Sequence, residues 1–160
     1  MKRFAGCALI LAFFTVSPAL AAGASEPSSA PRAAPADPLL ERARAALQGQ
    51  DWKGAQDLLK DGLARSPENA DYHNLYAYAI RKGPNPNLDL AFKHYDEALR
   101  IDPKHRGAHE YIGEAYLMVG NVAKAKEHLA ALDKICFFSC EEFRDLKKAV
   151  SEYETKHAKQ

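Results

Sequence analysis

Cysteine is scarce in this chain, and so is any excess of charge of one sign. Only three cysteines occur in 160 residues, at positions 7, 136 and 140. A C-x-x-C-H sequence, which would attach haem, is absent: Cys136 and Cys140 stand one residue further apart than that pattern needs, and Glu141 follows them. No third cysteine or methionine lies beside the pair in sequence, so a soft-metal site such as one for Cu(I) lacks ligands there. With 22 basic and 21 acidic residues, bulk charge draws the chain neither to nucleic acid nor to anionic lipid. No segment reads as a strand, no glycine-rich phosphate loop follows one, and no Ser-His-Asp spacing stands out, so an enzyme is not expected.

Long apolar runs are also missing, except at the start. Lys2 and Arg3 precede an apolar run over 4–16, followed by Ala19, Leu20 and Ala21. The run is shorter than the ~20 residues that span a bilayer, and its flanks are those of a secretory signal peptide over 1–21, cleaved after Ala21 or Ala24. Cys7 stands at the beginning of that run, where a lipid-bearing cysteine would follow it. Losing Lys2 and Arg3 takes the basic residues from 22 to 20 against 21 acidic, a mature net charge of about −1. Residues 22–36 are rich in Pro, Ala and Ser without apolar period, and read as a disordered leader acting as a tether. Residues 37–157 suffice for one domain with one core.

The remainder is organised around residues 108–133. Tyr111, Ile112, Tyr116 and Val119 recur at the spacing of one buried helical face, as do Val122, Ala125, Leu129 and Leu132 after a break at Gly120-Asn121. Gly113 leaves room for a neighbouring helix. The same plan precedes it: helices over 38–48 and 52–65 separated by Gly49-Gln50-Asp51, then helices over 70–82 and 88–101. Ser66-Pro67 and Asp102-Pro103 close the first two units, with Pro103 lying 36 residues after Pro67. A hairpin of this kind cannot bury both faces alone and needs stacked copies.

On these residues the chain resembles the tetratricopeptide-repeat (TPR) family, whose unit is a helical hairpin of about 34 residues. Its first-helix small residues are matched by Ala43, Ala77 and Gly113, its second-helix small residues by Ala55, Ala91 and Ala125, and the large apolar residues that follow by Leu59, Tyr95 and Leu129. The resemblance implies an all-α TPR solenoid of about three hairpins (37–67, 70–103, 106–134). Three features depart from the pattern. The second unit carries two extra residues in its turn, 83–87, which should project; the first has Ala46 where an aromatic is usual; Phe137 stands where a third closing proline belongs.

The tail, 134–140, leads to a charged capping helix over 139–157 that seals the last repeat. Ser139 and Glu142 read as its capping box, Phe143, Leu146, Val150 and Tyr153 as its apolar face, and Lys147, Lys148, Glu152 and Glu154 as its wet side. A similar C-x-x-x-C-x-E tail is a feature of small exported bacterial TPR proteins, a resemblance that carries no assigned activity. In an oxidising compartment Cys136 and Cys140 are expected to form a disulfide staple. The alternative is a thiol-active pair, because a thiol in the first turn of a helix is made more acidic by the helix dipole. His105 and His109 are four apart, but His105 precedes the helix and no acidic ligand lies between them; His73 and His109 occupy equivalent places in successive units, and packing roles are expected.

The resemblance further implies a concave surface built from the first helix of each unit. Arg44 and Gln48, then Asn74, Tyr78 and Arg81, then Glu110, Glu114, Leu117 and Met118 should project into it, a mixture suited to a protein or peptide. Glu110 and Glu114 fall where family members that clamp a C-terminal carboxylate carry positive or amide groups, so no such clamp is expected. The function expected is a non-enzymatic protein-binding adaptor of the bacterial periplasm, without cofactor or metal. Self-association is available to lengthen a short groove. Replacing Tyr78 and Arg81 by alanine is expected to abolish partner capture in a folded protein. The alternative is an accessory factor using Cys136 and Cys140 for disulfide exchange or soft-metal handling.

Overall fold

A computed structural model describes residues 37–158. The signal peptide and leader expected over 1–36 lie outside them. The described residues form seven α-helices and no strand: α1 (Pro38–Gln48), α2 (Trp52–Arg65), α3 (Ala70–Lys82), α4 (Leu88–Ile101), α5 (Arg106–Met118), α6 (Val122–Ile135) and α7 (Glu141–His157). None of them is long and apolar enough to cross a membrane.

Local sequence starts each helix. Asp37, Asp51, Asn69, Asn87 and Asn121 are N-caps whose side-chain oxygens accept from backbone N–H groups of the first turn, satisfying donors that have no partner inside the helix. His105 does the same for α5 through Nδ1, 3.1 Å from the N–H of Ala108. The α7 start differs from expectation. Ser139 has φ 28° and is not the cap; Cys140 is, without a side-chain cap bond. Glu142 closes no capping box and instead lies 3.6 Å from Arg106 of α5.

The inter-helix turns of the first and third hairpins share one backbone solution. In the first, Gln50 N–H donates to Leu47 and Asp51 N–H to Ala46; in the third, Gly120 donates to Leu117 and Asn121 to Tyr116. The residue at the bend is left-handed in both, φ 58° at Gln50 and 77° at Gly120. Glycine takes that geometry freely, glutamine against a steric cost. The second turn, 83–87, is built otherwise: Gly83 is an extended C-cap and 84–87 stand exposed, the projecting loop expected from the inserted residues.

Consecutive helices pack as antiparallel hairpins, α1 with α2, α3 with α4, and α5 with α6, while α3 also meets α1 and α5. Thus α1, α3 and α5 form an inner layer and α2, α4 and α6 an outer one. α7 packs on α5 and α6. Ala43, Ala55, Ala77, Ala91 and Ala125 are fully buried, as small residues at helix contacts must be. A Cβ on Gly113 would lie 2.6 Å from Leu146, so this glycine admits the capping helix. Val119, expected in the buried face of α5, is 52% exposed, because the helix ends at Met118 and Val119 is already its C-cap.

Tyr72 ties the second hairpin to the first, and histidine pairs join the two helices within the second and third hairpins. Tyr72 of α3 is 2% exposed and lies over the backbone of Gly62, and its hydroxyl donates to Asp37 Oδ2 at 2.7 Å. In the second and third units an inner-helix histidine meets an outer-helix histidine. His73 Nδ1 is 2.9 Å from His94 Nδ1, and His109 Nδ1 is 3.0 Å from His128 Nδ1. The other nitrogen of the inner ring faces a carbonyl, Pro67 for His73 and Pro103 for His109. A carbonyl only accepts, so the inner Nε2 carries the proton, the inner Nδ1 accepts, and the outer histidine donates.

Candidate functional site

Expected groove residues from α1, α3 and α5 divide into an open half near the helix N-termini and a filled half near their C-termini. The open half is a cavity of about 610 Å³ bounded by all three inner helices, the approach to α5, and α7. The filled half is centred on Arg81.

Arg81 is 4% exposed. Its Nη2 donates to Glu114 at 2.7 Å, its Nε to the Tyr95 hydroxyl at 3.2 Å, and its Nη1 reaches the Met118 sulfur at 3.7 Å. The guanidinium also lies 5.5 Å from the ring centre of Tyr78 and 5.9 Å from that of Tyr111. Tyr78 and Tyr111 are themselves 4.6 Å apart, and Trp52 stands 6.3 Å from Tyr78. This corrects the expectation that Arg81 projects for a partner: it ties α3, α4 and α5 together, because a charge this deeply buried needs its own counter-charge and acceptors. Leu117 is corrected as well; it is 8% exposed and belongs to the core beneath α7. Met118, 52% exposed, and the half-buried Tyr78 remain at the surface, while Gln48 is exposed at the end of α1.

In the open half Arg44 donates to Asp71 at 3.2 Å, and Asp71 accepts from His105 Nε2 at 3.3 Å. The tautomer follows from the cap: His105 Nδ1 already accepts from Ala108, so Nε2 holds the proton. The His105 hydrogen bond, with Arg44 adding its charge, holds the Asp71 carboxyl below the usual carboxylate range. Asn74, expected to project, is 3% exposed, and its Oδ1 has no hydrogen-bond partner among the described residues. Glu110 does line the cavity. Burial, and then the neighbouring carboxylates of Glu114, Asp145 and Glu142, push its carboxyl up to about 8.

Asp71, His105, Glu142 and Asp145 are groove residues that periodicity did not single out. His105 looked like turn, and Glu142 like a local cap; the hint was that α7 follows α5 and α6 closely enough to wall the groove. Just before α7, the sulfurs of Cys136 and its N-cap Cys140 lie at bonding distance, with Cα atoms 5.6 Å apart, and Phe137 and Phe138 between them are 91% and 87% exposed. Among the described residues no three His, Cys, Asp or Glu side chains converge to hold a metal ion.

Known structures share the helical fold. The chaperone SycD of the Yersinia enterocolitica type III secretion translocator matches with a TM-score of 0.63 at 16% identity, over 76% of this chain and 82% of that one. The TPR2B domain of yeast Sti1, solved in a complex with pHsp70, matches with a TM-score of 0.63 at 21% identity, over 74% of this chain and 98% of that one. The fold is a TPR solenoid. In sequence, 79 residues are 32% identical to the TPR repeat-containing thioredoxin TTL4 of Arabidopsis thaliana, a match over 49% of this chain that spans only 11% of that protein. No protein-family model matches the chain. A TPR solenoid with seven helices ends on an unpaired helix, and α7 fills that place here while closing one side of the groove. SycD has also been solved with a peptide of the translocator YopD, a structure that matches with a TM-score of 0.60 at 18% identity, over 76% of this chain and 92% of that one.

Proposed function

We propose that the chain is a non-enzymatic adaptor that holds a peptide or protein segment on its concave face. One observation carries the reading: the 610 Å³ groove runs across the inner layer and is lined by accessible polar and aromatic side chains from α1, α3, α5 and α7. TPR structures of the same architecture include complexes with a peptide of YopD and with pHsp70. The groove is too open and too polar to enclose a small substrate, but an extended segment can lie along it. The N-terminal sequence, with its basic start, short apolar run and Ala-x-Ala, supports export and a periplasmic place of action.

A photo-crosslinking residue at Arg44 or Met118 tests this in the native cell envelope, with the same residue at Lys60 on the outer helix α2 as control. Capture of one protein from the groove positions and not from Lys60 is the expected result. Equal capture from Lys60 would overturn the groove.

A second reading, a thiol-exchange factor, is favoured by Cys140 at the N-terminus of α7, where the helix dipole stabilises a thiolate. It predicts mixed disulfides through Cys140 when thiols are blocked at lysis, and loss of function with retained fold when both cysteines become serine.

A further inference from the structure

The open half of the groove carries an excess of hydrogen-bond acceptors. Six carboxylates and three Lys or Arg side chains line it. Arg44 is engaged by Asp71 at 3.2 Å and Arg106 by Glu142 at 3.6 Å, while Glu110 and Asp145 have no ion-pair partner among the described residues. On the facing helix the buried Asn74 contributes an acceptor, Oδ1, that is likewise unpartnered. Gly107 keeps this corner open, since a Cβ there would press to 3.2 Å from the Asn74 amide nitrogen. Crowded carboxylates and an orphaned buried amide oxygen share one requirement, a ligand that is cationic and rich in N–H donors.

That ligand is not a bare metal ion, because no three acidic, histidine or cysteine side chains among the described residues converge closely enough. The acceptors are spread across α3, α5 and α7, which suits a planar group with several donors, and Tyr111 supplies an aromatic surface at the same wall. We propose that this corner is an arginine subsite: an extended peptide in the groove places a guanidinium among Glu110, Glu142 and Asp145 and a donor on Asn74 Oδ1. Glu110 holding its proton up to about 8 accords with this, since the proton neutralises a half-buried carboxyl crowded by Glu114, Asp145 and Glu142 and without an ion-pair partner among the described residues. The subsite rests on the groove being the binding surface, and it gives that surface a chemical preference.

The test is an NMR titration of the mature protein with three nonapeptides of one Gly/Ser sequence whose central residue is arginine, citrulline or glutamate. Citrulline keeps the shape of arginine and removes its charge. The arginine peptide should shift the backbone amides of Asn74, Gly107 and Glu110, and bind at least five-fold more tightly than the citrulline peptide. Glu110→Gln combined with Asp145→Asn should remove that preference while leaving the spectrum of the rest of the protein unchanged. Equal binding of the citrulline peptide, or tighter binding of the glutamate peptide, within the groove would overturn the arginine subsite and leave the groove standing. Shifts confined to the outer helices for all three peptides, or no shifts at all, would overturn the subsite; if groove crosslinking also fails, the binding surface falls with it.

Discussion

Arg81 and Glu114 join the inner helices of the second and third hairpins through a 2.7 Å charge-assisted hydrogen bond whose arginine side chain is almost completely out of water. Removing one partner strands the other, and the loss exceeds the net worth of the pair. Arg81→Ala should therefore destabilise the domain by about 2–4 kcal/mol, read from chemical denaturation. Arg81→Lys should recover little, because an ammonium cannot serve Glu114 and the Tyr95 hydroxyl with one planar fork. A loss of partner capture in the Tyr78 and Arg81 double variant would thus report damage to the fold. Tyr78→Ala alone, or a change at Glu110, is the informative experiment.

The two matched turns make a paired prediction. Gln50→Gly should stabilise by about 0.5–1 kcal/mol, since the bend at φ 58° suits glycine better than glutamine. Gly120→Ala, at φ 77°, should destabilise by about 1 kcal/mol. Thermal melts of both variants decide it; a fall in melting temperature for Gln50→Gly would contradict the shared geometry.

The histidine pairs predict acid sensitivity. Burial and then the charge of His109 push His128 down to about 4. His94 is lowered by burial and by His73, and His109 by burial. Glu97 near His94, Asp102 near His109 and Glu127 near His128 oppose these shifts; His105 reinforces the one at His109 and Lys124 that at His128. Lowered folded-state values mean that the stabilisation is present above the unfolded value near 6.5 and is lost as pH falls from there towards 4. Allowing for their partial exposure, the histidines' own contribution should fall by on the order of 1–2 kcal/mol between pH 7 and pH 4.5, while Glu110, raised to about 8, acts with the opposite sign in the same window. His128→Asn should flatten that part of the stability profile; an unchanged slope would contradict the pairing.

Replacing Cys136 and Cys140 by serine should cost about 2 kcal/mol in the oxidised protein, the loop-closure value for a five-residue ring. In reductant the variant and the parent should melt together. Mass spectrometry of the protein isolated without reductant checks whether the two sulfurs are joined, and amino-terminal sequencing checks whether the chain begins at Ala22 or Ser25.

The sequence by itself determined the helices and most of their ends, the start of α7 and the end of α5 excepted. Apolar residues at three-and-four spacing, such as Ile112 and Tyr116 or Leu146 and Val150, define buried faces, and Asp51, Asn69, Asn87 and Asn121 cap through bonds to residues three places away. Such signals are local, so they survive in one dimension, and three equivalent hairpins then imply the solenoid. Only the tertiary structure decided what each polar side chain does. Tyr78 and Arg81 lie one turn apart on α3, yet one stays at the surface while the other disappears into an ion pair with a residue 33 positions away. Asn74 is buried with an orphaned oxygen while Gly107 of α5 lies beside its amide nitrogen, and Glu142 turns to Arg106 because α7 docks against α5. Those outcomes depend on the angle and register at which separate helices meet. Van der Waals packing between hairpins sets both, and no spacing along the chain records them.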